Sequence, residues 1–156
     1  MTQLPTAATP LTTDEIRMFL RDQPGMNPLT DDIEFPDVDI NLAIRFTVMR
    51  YNAMTPQTYY TSPLQLNGYL LLVGVCSILF RSEGARQLRN QVLSKDGNIA
   101  PVGLDEKQEL YVAWAEKFSQ EWEHIARAIK TQNNMEAAYG GTSSGYAQLG
   151  RFGYIF

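Results

Sequence analysis

The run Tyr69–Phe80, YLLLVGVCSILF, limits most severely what this chain can fold into. It is 12 residues long and holds no charged side chain. Coiled as a helix it is apolar on every side, so other elements must enclose it. A membrane span needs roughly 20 such residues, and this stretch falls short. It therefore predicts the central helix of a packed core, within a helix running from about Leu64 to Leu93. The second half of that helix, Arg81 to Arg89, is polar and leaves the core as a charged end. Gly74 and Gly84 permit a neighbouring helix to come close, and Gly84 can alternatively mark a break. Cys76, the sole cysteine, reads as a small buried hydrophobe.

The elements around this core follow from caps and periodicity. Thr12-Thr13-Asp14-Glu15 spells a capping box, with Thr12 as N-cap and Glu15 at N3. Ile16, Phe19 and Leu20 continue it as an i, i+3, i+4 stripe, and Pro24, Gly25 and Pro28 stop it. A second helix begins near Pro36, with Asp37 and Asp39 in its first turn, where the helix dipole favours negative charge. Its buried stripe is Ile40, Ile44, Thr47, Val48 and Tyr51. Asn52 to Pro63 reads as a loop, with Thr58–Thr61 briefly extended. Lys95-Asp96-Gly97-Asn98 is a turn signal, which leaves open a short β-hairpin near 95–103. A fourth helix runs from about Asp105 to Asn133, with Leu110, Trp114, Phe118, Trp122, Ile125 and Ile129 at helical spacing. The expected fold is mainly α: a small bundle of about four helices over 12–139. A flexible arm over 1–11 precedes it and an extended Gly/aromatic tail over 140–156 follows.

Composition narrows the function. The chain has 156 residues, 44% of them hydrophobic, which suits one domain. A net charge of −4 argues against a general binder of nucleic acid or anionic membrane. The segment MTQLPTAATPLTT lacks the basic and apolar regions of a signal peptide, so an intracellular product without a membrane address is expected. Asp37-Val-Asp39-Ile-Asn41 superficially copies the start of a calcium loop. The positions needing Gly and Glu, however, hold Leu42 and Val48. His124 is the only histidine and has no metal-ligand spacing around it. Cys76 with His124 makes a poor nucleophile–base pair, because Cys76 lies in an apolar helix. Gly140–Gly145 lacks the Lys of a phosphate loop. No catalytic, metal or cofactor site is expected, and no enzymatic role.

Two features point instead to protein partners. Asp31, Asp32 and Glu34 form an acidic loop, and Arg81, Arg86 and Arg89 lie at one helix end. Both sets read either as solvated surface or as faces that meet between copies of the chain. The tail carries Tyr146, Phe152, Tyr154 and Phe156 among glycines, with Ile155 between the last two. These side chains need a surface to lie on, either the same subunit or a partner chain, since burying one gains about 1.5–3 kcal/mol.

The order of these features resembles a known family. The helix TTDEIRMFLRD leads to the acidic loop DDIEFPDVDI and a helix ending AIRFTVMRYNAM. The central LNGYLLLVGVCSILFRSEGARQLRNQV follows, then a turn and a long helix ending KTQNNMEAAYG. Over about residues 12–140 this resembles the head-to-tail adaptor (connector, neck) proteins of tailed bacteriophages. The resemblance implies a structural virion protein, a homo-oligomeric ring of about twelve copies. The ring would lie beneath the portal protein and join it to neck or tail-completion proteins, with DNA passing through the channel. An acidic channel wall would not trap DNA phosphates. It also implies assembly in the host cytoplasm, with the C-terminal segment sent to the portal. Two other readings stay open: a different virion component, such as a tail-completion or capsid-associated protein, and a small regulatory or DNA-binding module.

Overall fold

A computed structural model describes residues 11–26, 32–90 and 106–139. The hairpin considered near 95–103, the arm and the tail all lie outside them. Four α-helices make up the body: α1 (Thr13–Leu20), α2 (Asp37–Ala53), α3 (Gly68–Asn90) and α4 (Glu106–Tyr139). Short 3₁₀ turns at Pro24–Met26 and Pro63–Gln65 are the other regular elements, and no strand occurs among the described residues. The mainly helical fold class expected from the sequence is the one observed.

Helix α1 starts as its sequence dictates. The Thr12 hydroxyl accepts from the Glu15 N–H at 3.2 Å, and the Glu15 carboxylate accepts from the Thr12 N–H at 2.8 Å. The helix ends when Arg21 turns left-handed at φ 59°, so that its N–H and that of Asp22 reach back to the last turn. The stop therefore comes before the prolines.

Helix α3 begins later than the expected Leu64. Ser62 and Gln65 form a genuine capping box, yet it closes only the 3₁₀ turn Pro63–Gln65. The α-helix is started by Asn67, whose side-chain oxygen accepts from the N–H groups of Tyr69 and Leu70 at 2.9 and 3.2 Å. From Leu70 to Phe80 no residue is exposed, so the apolar run is enclosed on all sides. Helix α4 packs along it most extensively and α2 crosses its other side. Helix α4 runs past the expected Asn133 to Tyr139. Good helix formers continue to that point, and the glycines come only afterwards. The segment 58–61, expected to be extended, forms no strand. It is held instead by Asn52, whose side chain accepts from the Tyr60 N–H and donates to the Tyr60 carbonyl.

The tightest point of the body is Gly74. A Cβ placed there would lie 2.4 Å from Thr47 Cγ2 and 2.6 Å from Trp122 Nε1. Thr47 on α2 and Trp122 on α4 are both fully buried. Three helices thus meet where one of them lacks a side chain. The Gly74→Ala variant is expected to lose about 1–3 kcal/mol or more, from overpacking against side chains that cannot retreat. Urea unfolding monitored by Trp fluorescence measures this as a lower midpoint.

Candidate interaction surface

Helix α2 is apolar on two sides. The inner side is the expected stripe: Ile40, Thr47, Val48 and Tyr51 are buried, with Ala43 added and Ile44 half-buried. The outer side carries Val38, Leu42, Phe46 and Met49, exposed by 68%, 42%, 49% and 54%. At 100° per residue these four lie within about 80° of arc, opposite the core. A surface helix ordinarily presents charged and polar groups there. Phe46 also forms one wall of a groove between α2, α3 and α4, with Ile78, Arg81, Ala85 and Ser119.

The charged residues singled out in the sequence occupy different settings. Asp32 is exposed and its carboxylate accepts from the Ile33 N–H at 2.8 Å. Glu34 is half-buried and accepts from the Tyr111 hydroxyl of α4. Burial first, then this hydrogen bond and the Glu34 charge, raise the Tyr111 pKa above its ordinary value. Glu83 and Arg86 also act on that hydroxyl. Arg86 pairs with the nearly buried Glu83 of its own helix at 2.9 Å. Glu34 and Arg86 therefore already have partners inside one subunit. Arg81 and Arg89 are exposed. Asp31 and the tail residues Tyr146, Phe152, Tyr154, Ile155 and Phe156 lie outside the described residues. Of the α4 stripe, Trp122 is buried and Phe118, Ile125 and Ile129 are half-buried, but Leu110 and Trp114 are exposed by 60% and 48%.

Three buried or half-buried cations escaped the sequence reading. Arg17 is 8% exposed and binds Asp22 at 3.3 Å, the Phe35 carbonyl at 2.6 Å and the carboxylate of Asp37. Asp22, 3% exposed, also accepts from the N–H groups of Glu34 and Phe35 at 2.6 and 2.9 Å. This clamp fixes the loop that enters α2. Lys130, 3% exposed, donates to the carbonyls of Met54 and Pro56, both at 2.6 Å, and lies over the Tyr51 ring. Burial pulls its pKa down. Arg50 stacks 4.1 Å from the Trp122 ring centroid and donates to Ser119 at 2.8 Å and Glu123 at 3.0 Å. Residue type alone reads all of these as solvated.

The geometry offers surfaces for binding and no assembled chemistry among the described residues. No group of His, Cys, Asp and Glu is placed to hold a metal there. Helix α3 is long and apolar enough to cross a membrane by composition, and over half of that window is buried in the body. Cys76 is fully buried and its thiol is pushed up to about 12 by desolvation. Neither a family model, a curated protein nor a solved structure matches this chain.

Two outcomes are expected. Asp22→Ala should destabilise by about 2–3 kcal/mol, since it leaves the N–H groups of Glu34 and Phe35 without their acceptor and removes one of Arg17's two carboxylate partners, and urea titration measures this. At pH 8 Cys76 should resist a thiol reagent in the native protein and react within the mixing time in urea. Rapid native labelling would show that α3 is not enclosed.

Proposed function

We propose that this chain is a structural virion subunit, a head-to-tail adaptor of the tailed-bacteriophage kind, which acts by binding other protein chains. Its copies form a ring of about twelve, seated between the portal protein and the neck or tail-completion proteins, with DNA passing through the centre. It assembles in the host cytoplasm and remains at the head-to-tail interface of the particle. It performs no catalysis and takes no cofactor.

The observation that carries this reading is the second apolar face of α2. A core drawn from residues between Leu11 and Ile129 fills the body, with Trp122, Leu70, Val73 and Val75 fully buried. The outer face of α2 is left over, and the 142–156 sequence adds Gly-spaced aromatics that by their pattern cannot easily form a core of their own. A chain with such residues beyond its core gains from a partner's surface. The acidic net charge of −4 suits a wall past which DNA must slide without sticking. The specific virion position rests on the resemblance of the helix order along the sequence to the adaptor family.

Deletion of residues 142–156 tests the tail's part. The truncated chain should keep its helical circular dichroism while losing most of its affinity for the portal protein, measured by co-sedimentation with portal rings. Equal binding by the truncated and intact chains would sink the tail's docking role. Immunogold labelling of intact particles tests the position: label at the head-to-tail junction is expected, and label elsewhere would favour a different virion component. Retention on a DNA column at moderate salt would favour the DNA-binding alternative.

A further inference from the structure

One side of α3 is the floor of an open groove. Ile78, Arg81, Ser82 and Ala85 form that floor, with Phe46 of α2 and Ser119 of α4 on the walls. Two further charges line the groove, Arg50 and Glu123, and they pair with each other at 3.0 Å. Arg81 is the cation left over: it is exposed and has no hydrogen-bond or ion-pair partner among the described residues. The same holds for Arg89, two turns further along. At 100° per residue Arg89 lies within about 30° of the centre of the groove floor.

The acidic loop before α2 is on the other side of α3. Phe35 packs against Phe80, with ring centroids 6.2 Å apart, and Glu34 and Glu83 both act on the Tyr111 hydroxyl. On the helical wheel Phe80 and Glu83 are centred about 180° from the groove floor. Glu34 is engaged by Tyr111 and Asp37 by Arg17. Asp32 and its neighbour Ile33 are exposed, so this stretch presents an acid and a branched apolar side chain together.

We infer that the groove is the socket for this loop of a second copy of the chain. Ile33 seats over Ile78 and Ala85, and the Asp32 carboxylate meets Arg81, with Arg89 adding attraction from the same face. Charge and shape choose this occupant: the groove sets a cation beside an apolar floor, and the loop sets an acid beside an apolar tip. The loop cannot fill the groove of its own subunit. Asp22 holds the N–H groups of Glu34 and Phe35 and Tyr111 holds Glu34, all on the far side of α3. Because loop and groove stand on opposite sides, two copies cannot engage both contacts with each other. Each added copy therefore leaves one free loop and one free groove. Such a heterologous contact propagates head to tail and closes as a ring when its rotation permits. The inference deepens the proposed ring and rests on that reading only for closure at about twelve copies.

Sedimentation velocity of the full-length chain over a wide concentration range tests the contact. Assembly should grow past the dimer with concentration and weaken as salt rises. Arg81→Asp and Asp32→Arg should each weaken association by about tenfold with unchanged far-UV circular dichroism, since each sets like charges together. The double variant carrying both changes should recover most of the loss. A mixture separates this contact from any two-fold one. Ile33→Arg blocks the loop and Ala85→Arg blocks the groove, and together the two chains retain one intact loop and one intact groove. They should form a dimer and nothing larger. The inference is overturned by a wild-type chain that stays monomeric at the highest concentration or stops at a dimer, by single variants that associate as tightly as wild type, by failed rescue in the double variant, or by a mixture that grows past the dimer. Label at the head-to-tail junction of particles would leave the virion position standing in each of those cases.

Discussion

The body depends on the meeting of three helices at Gly74. Thr47 of α2 and Trp122 of α4 both press on the place where a side chain of α3 would stand. This one missing Cβ lets α4 lie close along α3, and close approach is what buries residues 70–80 on every side. The same closeness has a local cost. The Trp122 indole N–H is buried there without a hydrogen-bond partner among the described residues. The Arg50 guanidinium over the ring face offsets part of it, since a cation stacked on Trp is attracted by the ring's quadrupole. Packing at this point is thus favoured over polar satisfaction. The Thr47 hydroxyl avoids a similar conflict by donating back to the Ala43 carbonyl at 2.8 Å.

Around this centre, buried polar groups set the angles at which chain segments arrive. Arg17 and Asp22 gather the backbone of residues 34 and 35 and so fix where α2 starts. Lys130 gathers the carbonyls of Met54 and Pro56 and so fixes where α2 ends. Both are charged groups whose transfer from water is unfavourable alone, and both are surrounded by several oxygens that repay it. With its two ends fixed by α1 and α4, α2 has little freedom to roll about its axis. Its outer face is consequently held in one orientation, an arrangement that a docking surface requires and a loosely attached helix would lack.

How much of this was legible in the sequence follows from the range of the forces involved. The start of α1 was readable because Thr12 and Glu15 cap it within three residues. The enclosed centre was readable because YLLLVGVCSILF has no polar side on which to lie. The start of α3 was misplaced because Pro63 and the Ser62–Gln65 box are real signals that serve only a single turn; Asn67 starts the α-helix. The burial of Arg17 and Lys130 was not legible, since the Phe35 and Met54 carbonyls that receive them lie 18 and 76 residues away in the chain, and Asp22, five residues from Arg17, reads as an ordinary surface acid. The periodicity of α4 gave the right face, yet periodicity says nothing of how far a neighbour reaches, and Leu110 and Trp114 stay exposed. Glu34 and Arg86 were expected among faces that could meet between copies; within one subunit they already hold Tyr111 and Glu83. The outer stripe of α2 could have been found, because Val38, Leu42, Phe46 and Met49 recur at helical spacing. It was hidden by a second stripe on the same helix, and two stripes at once blur the period that reveals either.

A helix with two apolar faces fits poorly with a self-sufficient monomer. Its inner face is matched by α3 with Thr47 at the crossing, and nothing in the body needs its outer face to be apolar. Lys or Glu at Leu42 or Met49 would cost the fold almost nothing and would raise solubility. Residues that the fold does not require, held in a fixed orientation, are the observation on which the proposed docking role rests.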